Sequence, residues 1–457
     1  MISNKEILDK IVALEKTKIH SEFVVDGLDF WPAVRIRLAF GLIEKRYQNV
    51  TKKSDLLKNN LAILLKLFFI PRTKTKKKDI LFVTHSNYQY LVDSKTYDRV
   101  LEEYKIDCNN NGKDFLELNL ATGDITYCKD DLVIKKTQAY ILILKMYVYL
   151  SSKIIRSNKL YLDNSINDIS KSFNELPSNN KFTVFKLKQY IVYVNLLIRY
   201  YKYLLKNIGV KEVYQATYYD PAGLSINAAA SQLGVRTYCA QHGGQSRNNP
   251  AFGQWTNLPL KGYDMLPNVF LCWDEWSANT INEWSNNNNY HIARISGYQW
   301  PNLWKSGVIK YSGTDKLNQL SKDRLNILYT MQPSIGGPPL IIKEVIKSFS
   351  NRVNWWLRIH PRQKGSQVEH DLRESYYDLD NVFISEATDE PLPAIMNITD
   401  LHLTSYSSCV YEAMAFKVTT IFIDQAGKDY FHDIIQSGEA KLSLTTEELE
   451  RNINAIL

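Results

Sequence analysis

The sequence predicts an α/β protein made of two doubly wound, Rossmann-like domains with extra helices at the N-terminus, and three observations predict it. Short apolar runs that read as buried strands, such as DILFVTHS from Asp79 and VNWWLRIH before Pro361, recur along the chain with helix-patterned stretches between them. One strand, helix, strand unit is clearly bounded: KEVYQATYYD, then PAGLSINAAASQLG, then VRTYCAQHGG, with Pro221 as the first helical residue and Gly234 as the helix stop. Four further strands separated by helices follow Arg324, an alternation that favours a parallel sheet with crossovers. A chain of 457 residues is also long enough for two cores of ordinary size.

Taken in order, residues 1–78 read as a helical appendage. Its opening MISNKEILDKIVALEKTKIH is polar and helix-patterned, which predicts no secretory signal. The run LAILLKLFFIP is interrupted by Lys66, stopped by Pro71 and about half the roughly 20 residues that span a bilayer. RTKTKKK follows at once, so this stretch reads either as a buried helix with a basic linker or as an apolar face resting on an anionic membrane surface. The first Rossmann-like domain covers 79–305 and includes two long helical stretches, TQAYILILKMYVYLSSKII and FTVFKLKQYIVYVNLLIRYYKYLLKNIG, the second stopped by Gly209. NVFLCWDEW and HIARISGYQWP add its last strands. Residues 306–324 are polar and read as a linker, and 325–457 form the second domain. Internal repeats are absent.

Composition narrows the class. The chain is 45% hydrophobic and 23% charged, as folded water-soluble proteins are, and its net charge of +8 suits an anionic ligand or surface. Cys108, Cys128, Cys239, Cys272 and Cys409 form no CxxC pair, so neither a zinc site nor a disulfide framework is expected, and the thiols fit a cytoplasmic protein, with peripheral attachment to the inner face of the membrane left open. Lys and Arg are dispersed apart from the run at 74–78, so nucleic-acid binding is not expected.

The candidate chemistry lies where strands end, because open parallel sheets bind ligands at their carboxyl edge. In the second domain, LNILYT runs into Gln332, Pro333, Ser334, Gly336 and Gly337, two glycines that let backbone approach a ligand. The spacing is neither GxGxxG nor a P-loop. WWLRI ends in His360 and Pro361, NVFIS ends in Glu386, and LHLT ends in Ser405, Tyr406, Ser407 and Ser408 ahead of the next helix. Imidazole, hydroxyls and helix amides together suit a phosphate, and a carboxylate suits a ribose diol. In the first domain Asp220 ends one strand and His242 ends the next. Asp220 reads as a catalytic carboxylate or as a cap on the helix at Pro221, and His242 as a catalytic group or a turn histidine; His85 in THSN and Asp274 in CWDEW are further polar groups at strand ends.

The HP of RIHPRQ, followed 47 residues after His360 by the SS of TSYSSCVYEA with Glu386 between, resembles the bacterial sialyltransferase and capsule-type Kdo transferase group of GT-B glycosyltransferases. Gln332-Pro333 also resembles the capsule-type Kdo transferases. The resemblance implies a GT-B fold, two Rossmann-like domains facing a central cleft, and a CMP-activated donor. His360 would contact the CMP phosphate and assist its departure, Ser407 and Ser408 would hold the same phosphate, and Glu386 the ribose or base. It implies transfer of Kdo or a sialic-acid-like nonulosonate to a glycan or lipid-linked oligosaccharide in capsule or lipopolysaccharide synthesis. No acidic D/E-D/E-G segment of the sialyltransferase pattern is present in the first domain. The segment SYSS also resembles the DYSS of CDP-glycerol glycerophosphotransferases of teichoic-acid synthesis, with Ser405 in place of the aspartate. That transfer, nucleotide-sugar epimerisation and a non-catalytic assembly role are the alternatives. No DxD-like acidic pair stands out, so activity is expected without a divalent metal or other cofactor.

Overall fold

The computed structural model describes residues 4–17, 23–43, 77–120, 141, 143–148, 163–175, 183–285, 289–333 and 336–457. The stretch LAILLKLFFIP, on which the membrane-surface reading rests, lies outside the described residues. Among the described residues no helix is long and apolar enough to cross a membrane. The chain divides into two compact units, 1–90 with 96–297 and 91–95 with 298–457.

The first unit opens with the helix Asn4–Glu15, a two-stranded ribbon of β1 (Val24–Val25) and β2 (Leu28–Asp29), and the helix Trp31–Ile43. Its main sheet holds β3 (Ile80–Thr84), β6 (Phe115–Asn119), β7 (Glu212–Gln215), β8 (Arg236–Ala240), β9 (Val269–Cys272) and β10 (Ile292–Ile295), with the hairpin β4 (Gln89–Val92) and β5 (Lys95–Asp98) outside it. The order is β10-β9-β8-β7-β3-β6 and every pairing is parallel, for example Ile80 opposite both Phe115 and Glu212. All five residues of β3 are buried, as a strand covered on both faces requires. The long helix expected before Gly209 runs Val184–Ile208, opened by Thr183 accepting from the Lys186 amide at 3.2 Å and closed by Gly209 at φ 81°.

The helical appendage expected over 1–78 is not a separate body in the residues described. Ile7, Ile11, Phe23, Trp31 and Val34 are buried in the same core as Leu81 and Val83 of the sheet. The helix Asn4–Glu15 lies in a polar stretch, yet one of its charges, Glu15, is fully buried against Arg35.

The second unit is a sheet of β11 (Leu325–Thr330), β12 (Val353–Arg358), β13 (Val382–Phe383), β14 (Leu401–Thr404), β15 (Thr419–Phe422) and β16 (Ala440–Leu442) in the order β13-β12-β11-β14-β15-β16, parallel throughout. The polar stretch 306–324 is not a linker: it contains the helix Thr314–Leu320, whose Leu317 is buried beside Leu328 and Trp356. One apolar residue per turn was enough to dock it, too weak a signal to stand out in the sequence. Both units are the doubly wound, Rossmann-like domains that the sequence predicts.

Candidate functional site

Strand order fixes where each sheet can open a crevice. In the first unit the first strand, β3, lies between β6 and β7, so successive crossovers leave β3 in opposite directions and the reversal falls between β3 and β7. In the second unit the reversal falls between β11 and β14. At such a point the two connections part and the carboxyl edge is left open for a ligand. His85 follows β3 and Asp220 terminates the segment after β7; Gln332 and Pro333 follow β11, and Ser405 to Ser408 follow β14.

At the first edge the cap reading and the pairing reading of Asp220 are both realised. Its Oδ1 accepts from the Gly223 amide at 2.6 Å, opening the helix Pro221–Ser231. Gly223 is required there, since a Cβ would lie 2.5 Å from the Thr217 carbonyl. The other oxygen, Oδ2, is 3.2 Å from Nε2 of His85, both side chains half-buried. That nitrogen is shielded from water and has no aligned hydrogen bond, so the contact is a close approach rather than a formed bond. His242 lies alongside, its ring 5.0 Å from Tyr88 and 5.8 Å from Tyr219, with Nε2 2.9 Å from the Tyr219 hydroxyl. Burial pushes its pKa down to about 4, helped by the Arg99 charge, so it is a neutral imidazole at pH 7. Burial also raises the Tyr219 phenol, which therefore stays protonated and donates to Nε2. With that lone pair occupied, His242 is placed to orient Tyr219 and the edge around it. Asp274, by contrast, caps the helix Glu275–Ser285 by accepting from the Ser277 amide at 2.7 Å.

At the second edge His360 ends the β12 segment, and its Nδ1 accepts from the Arg362 amide at 3.1 Å as the backbone turns through Pro361. This fixes the tautomer: a neutral His360 carries its proton on Nε2 and offers it as a donor. Burial, then the Arg362 charge, lowers its pKa, which favours the neutral donor. The flanking cations are partly engaged. Arg358 donates to the Glu390 carbonyl at 2.9 Å and to that of Ala387, and Lys364 pairs with Asp389 at 2.5 Å. The Arg358 bonds hold the segment carrying Glu386 against β12, where the Glu386 carboxylate lies 3.3 Å from Lys316.

Ser407 and Ser408 differ. Ser407 accepts from the Cys409 amide at 3.2 Å, which leaves its hydroxyl proton for a ligand, whereas Ser408 is exposed and makes no cap bond. Ser405, which sequence reading noted only as a missing aspartate, is fully buried, its hydroxyl beside that of Tyr329. Gln332 Nε2 and Ser366 Oγ are buried without partners. Buried polar atoms of native proteins are almost always paired, so the orphaned Gln332 amide just past β11 singles out that strand end. Pro333, Gly336 and Gly337 continue from Gln332, and Gly337 has φ 131°, a conformation only glycine adopts without strain. Among the described residues the one metal-like trio is His370, Asp371 and Glu374, exposed on the helix Gln367–Ser375 and away from these strand ends in sequence.

No protein-family model and no curated protein sequence matches the chain. Among solved structures, the chain is similar to the UDP-GlcNAc 2-epimerase of Methanocaldococcus jannaschii, with 13% identity and a TM-score of 0.48 over 82% of this chain and 92% of that one. It is similar to the UDP-GlcNAc 2-epimerase of Neisseria meningitidis bound to UDP-GlcNAc, with 12% identity and a TM-score of 0.46 over 82% and 90%. It is also similar to the wall teichoic acid polymerase TagF, with 10% identity and a TM-score of 0.44 over 88% and 89%. These are epimerases and a teichoic-acid polymerase, not sialyltransferases or Kdo transferases, and at such values the likeness assigns no substrate to this chain.

Proposed function

We propose that the chain is a glycosyltransferase that takes its sugar, Kdo or a related nonulosonate, from a CMP-activated donor and passes it to a glycan hydroxyl in the synthesis of a bacterial surface polysaccharide. The observation that supports the donor half is the edge at the β11–β14 reversal, where the buried, unpartnered Nε2 of Gln332 follows β11, Ser405 to Ser408 follow β14, and His360 at the end of neighbouring β12 offers its Nε2–H. A CMP-sugar departs as a phosphomonoester dianion, so its leaving group needs hydrogen-bond donors more than covalent chemistry. His360 donates Nε2–H to a phosphate oxygen, and the hydroxyls of Ser405, Ser407 and Ser408 add donors around it. Glu386 takes the ribose diol once Lys316 yields.

The acceptor half falls to His85 and Asp220. The carboxylate orients the imidazole through Nε2, leaving Nδ1 to take the proton of the attacking hydroxyl as the new glycosidic bond forms and the bond to CMP breaks. Asp220 is thus a positioning carboxylate and His85 the base, a reassignment of the role the sequence gave to Asp220 itself.

A thermal-shift series over CMP, CDP and UDP tests the donor. CMP should stabilise the protein most. A stronger response to CDP would favour transfer of a polyol phosphate, and one to UDP would favour an epimerase, which would also release product without an acceptor. His360→Ala should weaken CMP binding by about 10- to 100-fold, the effect of losing one hydrogen bond to a charged group. Unchanged affinity would remove His360 from the site. Turnover should survive EDTA, since among the described residues neither strand edge gathers a carboxylate pair suited to a metal-bridged phosphate; a strict Mg²⁺ requirement would overturn that part of the proposal.

A further inference from the structure

The second unit contains a cavity that the donor edge does not use. It lies between the helix Gln299–Lys305, the turn that follows, the helix Thr314–Leu320 and the helix Leu392–Met396, with a volume of about 350 Å³. Asn397 and Ile398 on its rim precede the first residue of β14, whereas Ser407 follows the last, so the cavity belongs to the amino end of the sheet. A four-residue strand separates the two ends by about 13 Å.

We propose that this cavity binds one saccharide residue carrying a negative charge, as a glycan-holding site distinct from the donor edge. Its floor is apolar, with Leu317 and Ala394 buried, and two aromatic rings stand over it, Trp304 and Tyr311, 6.5 Å apart and inclined at 58°. Gly313 lets Tyr311 lie in that position, since a Cβ there would fall 2.5 Å from the phenol ring. Such tilted rings present flat apolar faces to the C–H groups of a pyranose while a hydroxyl-bearing rim is left for polar partners.

The polar partners are present and uncommitted. The indole N–H of Trp304 is buried with no acceptor. Among the described residues the side-chain amides of Asn318 and Asn397 and the ammonium of Lys310 make no hydrogen bond or ion pair, although all three line the cavity. Each amide offers a donor pair and an acceptor, the combination that vicinal hydroxyls satisfy on both sides. No Asp or Glu lines the cavity among the described residues, so the one formal charge is that of Lys310 and it selects an anion. An apolar ligand would leave the Trp304 N–H orphaned, and an inorganic anion would leave the two aromatic faces unused. The volume also suits the lower end of small-ligand sites.

The test uses saturation-transfer NMR on the full chain without nucleotide, with methyl β-D-glucuronide and methyl β-D-glucoside as probes. The glucuronide should bind at least about fivefold more tightly than the glucoside, and Lys310→Gln should abolish that difference. Asn397→Ala, a surface change that leaves the core intact, should weaken the glucuronide by about five- to tenfold, and Trp304→Phe by a few-fold, since it keeps a ring and loses the donor. His360→Ala should leave the signal unchanged. Because no nucleotide is present, failure here and failure of the donor assignment are separate results. No transfer to the glucuronide at ~20 mM, equal transfer to both glycosides, or a signal indifferent to both Asn397→Ala and Trp304→Phe would each overturn the proposal.

Discussion

Asp220→Asn is expected to lower turnover by about 10²- to 10⁴-fold while leaving CMP affinity within about twofold of the parent, because general-base assistance is worth that much and donor binding belongs to the other sheet. The substitution is chosen so that stability does not confuse the outcome. Asparagine caps helices as well as aspartate does, so the bond from the Gly223 amide survives in the variant. What is lost is the charge facing Nε2 of His85 at 3.2 Å. Asp220→Ala would remove both functions and cost about 1 kcal/mol of stability from the cap alone, so comparing the two separates capping from chemistry.

His85→Gln should reproduce the loss, and the double variant should be little worse than either single one, since residues acting as a unit are not additive. His242→Gln should act differently. Its Nε2 is already occupied by Tyr219, so the change should disturb the edge without imposing the same loss. Full turnover in Asp220→Asn would reduce the residue to its cap.

Most of the strands, and with them the strand ends named above, were legible because punctuation is local, although β6 went unread and the second sheet has six strands where four were expected. Pro221, Gly209, Gly234 and Pro361 each force a break that one residue announces, and the apolar runs between them are long enough to be strands. The pairing of His85 with Asp220 was not legible, since it depends on β3 lying beside β7, which only the crossovers decide. For the same reason the open edge between β11 and β14 could not be located from the order of motifs. Polar residues inside the core carry no mark in the sequence. His402, mid-strand in LHLT, is fully buried between the hydroxyls of Thr330 and Thr420, each at 2.9 Å, and burial holds it neutral with a pKa of about 3. Glu15, an ordinary-looking helix carboxylate, is part of the core.

Glu15→Ala and Arg35→Ala are each expected to destabilise the protein by roughly 3 to 5 kcal/mol, because each leaves an uncompensated charge in the interior. The two side chains have no solvent exposure. Glu15 accepts from the Trp31 indole at 2.8 Å and from the Thr256 amide and hydroxyl at 3.1 and 2.7 Å, besides Arg35. Arg35 donates to the carbonyls of Pro250 at 3.2 Å and Gly253 at 2.8 Å, and its guanidinium lies 4.1 Å from the Trp255 ring centroid. The pair therefore ties the N-terminal helices to the turn 250–256, whose Ala251 carbonyl accepts from Tyr218, two residues before Asp220. Replacing both at once with apolar residues of similar volume, Glu15→Leu with Arg35→Met, should recover much of the loss, since desolvation offsets most of what a buried ion pair gains. Urea unfolding followed by hydrogen exchange of 250–256 reads both quantities. If the single variants lose less than about 1 kcal/mol, the N-terminal helices are not anchored through this pair. If the double variant is stable but exchange at 250–256 rises, the pair serves to fix that turn rather than to hold the unit together.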